Sequence, residues 1–260
     1  MTERFEFDGE KYERHSAHQK EWGARLIEEL GLKGDEAILD LGCGDGALTA
    51  RLAELAPRGT VVGIDASVGM MAATKKHRRA NLRFELRDIE ELEYEGAFDV
   101  IFSNATLHWV KDHRKLLANV QRALRPGGVA RFNFAGEGNC EQFFAVVREV
   151  MPLPEYAEFF TQFEWPWYMP AVADYRTLVE EVAFSETRVW GEKADRYFAD
   201  AAVLTGWIDQ PSIVPFVQVL SDELKPGFRD VVAARAMERC RQPDGTYFVA
   251  FRRVNVFARK

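Results

Sequence analysis

The segment Asp40-Leu41-Gly42-Cys43-Gly44-Asp45-Gly46 sets three glycines among acidic and small residues. Glycines at a turn let the chain reverse tightly and let a ligand touch backbone. If a helix follows, its first amides lack intrahelical acceptors and are available to an anion. Gly42, Gly44 and Ala47 also satisfy a loose dinucleotide fingerprint. Asp40 separates the two ligand chemistries. A pyrophosphate brings two negative charges, which a neighbouring carboxylate repels. S-adenosylmethionine brings an ammonium and a sulfonium with one carboxylate, and Asp40 attracts that cationic end. The competing reading is a carboxylate that only holds loop backbone.

Further along, Asp65-Ala66 closes a second apolar run, where an acidic side chain pairs with ribose hydroxyls. Two acceptor oxygens suit a vicinal diol, although an Asp there also caps helices. Asp88-Ile89 closes a third run. Asp88 can accept from an adenine amino group, with Ile89 or Met70 against the ring; a cap or turn role competes. Ser103-Asn104-Ala105 closes a fourth, where backbone would lie under a methionine portion and its methyl. Cys43, inside the glycine turn, reads as a small packing residue and not a nucleophile.

These residues need strand ends to carry them. Short apolar runs predict strands at 37–41, 60–64, 81–86, 98–102 and 129–134. Helical patterns fill 12–30, 47–55 and 113–124, and Ser67 is placed to cap a helix carrying Met70 and Met71. Arg125-Pro126-Gly127-Gly128 predicts a turn. Such alternation predicts a doubly wound parallel sheet with helices on both faces. Ligands then sit at the carboxyl ends of strands beside the topological switch. Beyond Gly138 the pattern changes: helices at 141–150 and 174–182, strands at 186–198 and 246–257, and a helical insertion at about 199–242. The expected organisation is an N-terminal lid segment (1–34), a cofactor core (35–138), and the rest of the sheet (139–260). Helical substrate caps are expected at about 139–182 and 199–242.

Residues 35–135 resemble the class I S-adenosylmethionine-dependent methyltransferases. The glycine motif is followed in that family's order by Asp65, Asp88-Ile89, Phe98-Asp99-Val100-Ile101 and Leu124-Arg125-Pro126-Gly127-Gly128. The resemblance implies a Rossmann-like seven-stranded, mostly parallel sheet with an antiparallel last strand, and S-adenosylmethionine as cofactor. Ser103-Asn104-Ala105-Thr106-Leu107-His108-Trp109-Val110 is similar to a segment of the trans-aconitate and juvenile hormone acid methyltransferases. Both methylate carboxylic acids. By that resemblance Tyr12 closes over the cofactor, while Gln19 and Trp109 hold a substrate carboxylate.

A carboxylate acceptor is already ionised at neutral pH and needs no general base. Alignment and exclusion of water then carry the rate. His108 is the alternative base, for a hydroxyl or phenol acceptor, and it also reads as structural. Trp109, Tyr12 and Gln19 have plain packing or surface readings too. Arg176, Arg188 and Arg196 can meet a second acidic group on an acceptor, and Trp165, Trp167, Tyr168 and Trp207 can form an apolar pocket or fill core. Lys75-Lys76-His77-Arg78-Arg79 suits a helix C-terminus. A nicotinamide-dependent oxidoreductase and a non-catalytic binding module remain as alternative functions.

Composition bounds these readings. The chain has 260 residues, 47% hydrophobic and 29% charged, with a formal net charge of −7. That is an ordinary globular balance, and it argues against sequence-independent nucleic-acid binding. The three cysteines Cys43, Cys140 and Cys240 show no zinc-ligand spacing, so no metal is expected. No apolar run approaches membrane-spanning length, and Met1–Glu6 has no apolar signal core. The expectation is a soluble cytoplasmic enzyme with a small-molecule acceptor and no nucleic-acid or membrane partner.

Overall fold

The computed structural model of the chain describes residues 17–209 and 212–260, with side chains from Lys20 onward. Tyr12 and the side chain of Gln19 therefore lie outside the described residues. The chain divides into two compact units. The first comprises residues up to Glu137, Trp167–Glu192 and Arg253–Lys260; the second comprises Gly138–Pro166 and Lys193–Arg252.

The first unit holds a seven-stranded sheet. Its strands are β1 (Ala37–Leu41), β2 (Thr60–Asp65), β3 (Leu82–Leu86), β4 (Phe98–Asn104), β5 (Leu124–Ala135), β6 (Glu186–Lys193) and β9 (Arg252–Arg259), in the spatial order β3-β2-β1-β4-β5-β9-β6. β1, β2, β3, β4 and β5 pair in parallel, and β9 runs antiparallel to β5. All five residues of β1 are buried, as expected for a central strand covered on both faces.

Alternation sorts the side chains into two cores. Ile38, Val100 and Phe102 face helices α1 (Ala17–Glu29) and α2 (Ala47–Leu55), packing with Leu26, Ile27 and Leu52. Leu39, Leu41, Ile101 and Phe132 face helices α4 (His113–Ala123) and α6 (Val172–Glu180), packing with Leu116, Val120 and Tyr175. Each fully buried side chain of this kind stabilises the unit by roughly 1.5–3 kcal/mol. The order reverses between β1 and β4, and there the site is expected. Helix α3 (Val68–Ala73) follows β2, its first turn capped by the Ser67 hydroxyl, which accepts from the Met70 amide at 3.2 Å.

The second unit is mainly helical: α5 (Glu141–Val150), α7 (Ala201–Ile208), α8 (Val214–Gln218) and α9 (Lys225–Cys240), with a small antiparallel pair of β7 (Arg196–Phe198) and β8 (Tyr247–Val249). Phe143 packs edge-on to Trp207 at 5.6 Å in its core.

Three expectations change. The runs 186–198 and 246–257 each read as one strand, yet each divides between two sheets. The break is made by Asp195, whose carboxylate accepts the Phe251 amide at 3.0 Å, a long-range bond that alternation cannot reveal. Arg125–Gly128 is not a free turn but an irregular start to β5. Gly127, at φ 78°, donates to the Lys260 carbonyl at 3.0 Å, and the register with β4 shifts between Phe98 and Val100. Helix α6 belongs to the sheet unit and α5 to the other, so the segment 139–182 divides between the two units.

Candidate functional site

The glycine turn joins β1 to α2 through three left-handed positions, Gly42 (φ 71°), Gly44 (φ 56°) and Gly46 (φ 82°). Gly42 has a second constraint. A Cβ there would fall 2.0 Å from the Thr106 methyl, and the Thr106 hydroxyl donates to the Gly42 carbonyl at 3.0 Å. The turn is pinned to β2 as well, because the Gly42 and Cys43 amides both donate to the Ile64 carbonyl at 2.9 Å. Cys43 is buried and burial pushes its thiol up, which fits packing and not nucleophilic chemistry.

Asp65 stands at the end of β2. One carboxylate oxygen accepts the Gly44 amide at 2.9 Å and the other accepts the Ser67 amide at 2.9 Å. These two bonds fix the orientation of the carboxylate. Asp40 is buried, with one oxygen accepting the Thr49 hydroxyl at 2.7 Å. Burial, the Asp65 charge adding to it, pushes its carboxyl up to about 7. Such a carboxylate is poised to ionise fully once a cation comes beside it.

Asp88 accepts the Glu90 amide at 3.0 Å and so caps the short turn Ile89–Glu91. The capping role is present, whether or not it binds a ligand. Met70 and Ile89 are both buried. Ser103 is fully buried and its hydroxyl donates to the Leu41 carbonyl at 2.7 Å. Ala105 adopts a left-handed φ of 58° while its amide donates to the Asn133 carbonyl at 2.7 Å. That conformation costs a non-glycine residue on the order of 1 kcal/mol, and such strain clusters at functional sites.

After β4 a short turn, Leu107–Trp109, carries His108 and Trp109. Its shape is fixed from behind. The His113 Nε2 lies 2.9 Å from the Leu107 carbonyl, and Nδ1 lies 2.8 Å from the Tyr175 hydroxyl. A carbonyl only accepts, so Nε2 carries the hydrogen and Tyr175 donates to Nδ1. Burial holds His113 at about 4, so this neutral tautomer persists at physiological pH. The Tyr168 amide donates to the His108 carbonyl at 2.8 Å, and Trp109 packs on Trp167 at 5.1 Å. Burial, with the charge of Arg253 next in order, holds the His108 imidazole well below its usual range.

Several residues at the site carried no clear signal in the sequence. Lys20 of α1 pairs with Asp45 of the glycine turn at 2.7 Å, Asp45 being almost wholly buried. Leu86, at the end of β3 and in register with Asp65, and Val68, the first residue of α3, expose apolar side chains. Thr106 has the role described above. Conversely, Arg176 and Arg188 do not gather at the strand ends. Arg176 and Arg188 border a surface cavity of about 400 Å³ with Trp190, and Arg196 lies on β7 of the second unit. The four aromatics also divide: Trp167 and Tyr168 belong to the first unit, Trp165 and Trp207 to the second. Among the described residues, no helix is long and apolar enough to cross a membrane, and no His, Cys, Asp and Glu side chains group as a metal site.

A family described as a methyltransferase domain matches residues 32–199. The chain belongs to the class I S-adenosylmethionine-dependent methyltransferases. Trans-aconitate 2-methyltransferase of Methylobacterium radiotolerans is 31% identical over 264 residues, 96% of each chain. The enzyme of the same name from Deinococcus radiodurans is 50% identical over 92 residues, 35% of each chain. In architecture this methyltransferase is similar to loganic acid methyltransferase, solved with S-adenosylhomocysteine, at a TM-score of 0.73 over 96% of each chain and 12% identity. Membership sets aside the nicotinamide oxidoreductase, and S-adenosylmethionine is the methyl donor.

Proposed function

We propose that this methyltransferase esterifies a carboxylate oxygen of a small organic acid. The observation that carries the reading is the electrostatic state of the Leu107–Trp109 turn. His108, the base nearest the end of β4, is held neutral and well below its ordinary range. A base that weak does not deprotonate an alcohol or phenol, whose proton is held far more tightly. An acceptor that needs no base fits this turn, and a carboxylate is already ionised at neutral pH. The His108 Nδ1 is buried and has no hydrogen-bond partner among the described residues. The relatives' names, trans-aconitate 2-methyltransferase, support the same class.

The groups present fit S-adenosylmethionine in kind. A buried carboxylate with a raised pKa (Asp40) suits an ammonium, and a fixed carboxylate at the end of β2 (Asp65) suits a ribose diol. In this reading the backbone of Gly42, Cys43 and Gly44 receives the methionine portion with Ser103, Asn104 and Ala105. Ala66, Met70, Asp88 and Ile89 surround the adenine, which the exposed Leu86 and Val68 cover. Tyr12 closes over the cofactor, and Gln19 and Trp109 hold the acceptor as neutral donors to its carboxylate. The cofactor supplies an electrophilic methyl on sulfur. The protein's contribution is alignment of the acceptor oxygen with it, worth roughly 7–11 kcal/mol in well-oriented cases.

The test is a panel of small acids, each paired with its alcohol and its amine, scored by S-adenosylhomocysteine release. Acids should turn over and their partners should not. Preferential turnover of an alcohol or an amine would overturn the assignment.

A further inference from the structure

A buried polar strip crosses the face of the sheet that α1 covers. Asn104, Asn133 and Asn255 stand in register on β4, β5 and β9. The Asn133 amide donates to Asn255 Oδ1 at 3.0 Å, and Asn255 donates to Glu192 of β6 at 3.1 Å. Arg131, two residues further from the C-terminal end of β5, is anchored to Glu29 of α1 at 2.7 Å. Arg253 lies at the ligand end of the same strip. It is 4% exposed. Its Nε donates to Asn133 Oδ1 at 2.7 Å and its Nη2 to the Asn133 carbonyl at 3.3 Å. That carbonyl also receives the Ala105 amide, so the guanidinium and the strained end of β4 meet at one oxygen atom. The Trp22 ring backs the guanidinium at 4.7 Å. The next residue, Gly23, lies so close to Asn104 that a Cβ there would fall 3.1 Å from its amide nitrogen.

We propose that Arg253 recognises a second carboxylate on the acceptor, and so selects polycarboxylates over monocarboxylates. The inference rests on the carboxylate reading of the same site. The fork is held in place before any ligand arrives, because the Asn133 amide is itself oriented by Asn255 and the indole fixes the guanidinium plane. The Nε side of the planar, permanently charged guanidinium is engaged by Asn133, so the edge that would match a carboxylate's two oxygens is Nη1–Nη2. It stands beside Ala105, where the methyl would be transferred. An acceptor with one carboxylate on the Trp109 turn presents a second one to Arg253 without a change in the sheet. Arg176 and Arg188 border a surface cavity with Trp190 instead.

The experiment uses the full chain with two readouts. In the first, calorimetry measures tricarballylate, a saturated tricarboxylate, binding to the S-adenosylhomocysteine complex. In the second, initial rates compare trans-aconitate with crotonate, its monocarboxylate counterpart. Wild type should bind tricarballylate and prefer trans-aconitate. R253Q should lose about 10- to 150-fold in kcat/KM for trans-aconitate, the range for a charge-assisted hydrogen bond. Crotonate turnover and S-adenosylhomocysteine affinity should hold within about twofold. R253K, which keeps the charge but not the fork, should show a smaller loss of the same selectivity, and it serves where R253Q fails to fold. Equal losses on both acceptors, a loss of S-adenosylhomocysteine affinity as large as the loss of kcat/KM, unchanged selectivity in both variants, or no tricarballylate binding by wild type each overturn the inference. Arg253-dependent tricarballylate binding without methylation of trans-aconitate upholds it, and overturns the acceptor reading instead.

Discussion

Cofactor binding should release a proton, and the amount should depend on pH in a way that Asp40 sets. Burial, reinforced by the Asp65 charge, holds the Asp40 carboxyl at about 7. Without ligand it is then about nine-tenths protonated at pH 6, half at pH 7 and one-tenth at pH 8, by ordinary titration. An ammonium brought against it favours the ionised form, so binding expels that fraction of a proton. The assay is calorimetric titration with S-adenosylmethionine in two buffers of different ionisation enthalpy at each pH. The difference in apparent enthalpy gives the protons released. The expected excess of wild type over D40N, a difference that cancels the titration of the cofactor's own amine, is about 0.9, 0.5 and 0.1 protons at pH 6, 7 and 8, with wild-type affinity gaining about tenfold relative to D40N from pH 6 to pH 8. Release of no proton at pH 6 in wild type, or the same release in D40N, would refute the assignment of Asp40 to the cationic end.

The same carboxyl bears on stability with a definite sign. Its folded pKa lies above the unfolded value of 3.8, so the folded state binds the extra proton and stability falls as pH rises from about 4 through 7. D40N should therefore stabilise the ligand-free protein at pH 8, by at most about 4 kcal/mol, and denaturant melts at pH 5 and pH 8 check this. His113 works the other way. Its folded value, about 4, lies below the unfolded 6.5, so its contribution is present above 6.5 and lost as pH falls toward 4. H113Q should flatten that part of the stability profile, by up to about 3 kcal/mol, and raise KM for the acceptor more than it raises the Kd of S-adenosylmethionine. G42A meets the Thr106 methyl in a left-handed conformation. It should weaken cofactor binding by more than tenfold, while G31A, at an open left-handed position away from the turn, should cost only about 1–2 kcal/mol of stability without changing affinity.

The strand ends that carry the candidate cofactor residues were legible because they are local events. Apolar runs of five or six residues, broken by Gly, Asp or Ser, place Asp40, Asp65, Asp88 and Ser103 in the right order without knowledge of tertiary contacts. The family resemblance then supplied the strand count and the antiparallel β9. What stayed hidden depends on pairs far apart in sequence. Lys20 meets Asp45, Thr106 meets Gly42, and Arg253 meets Asn133, 120 residues away. Arg252-Arg253 in the last strand looks like ordinary alternation. Only the position of β9 beside β5, with its N-terminal end at the ligand edge, turns Arg253 toward the site. The splitting of 186–198 between two sheets was invisible for the same reason, since Asp195 makes the break through Phe251.

The most direct test of the account is the product itself. The enzyme is incubated with methyl-labelled S-adenosylmethionine and trans-aconitate, and the methylated product is isolated and treated with mild base. The account predicts one labelled methyl per S-adenosylhomocysteine formed, carried as an ester that base returns to the free acid. A label that survives base on nitrogen or carbon, or no product from any organic acid at saturating cofactor, would contradict it.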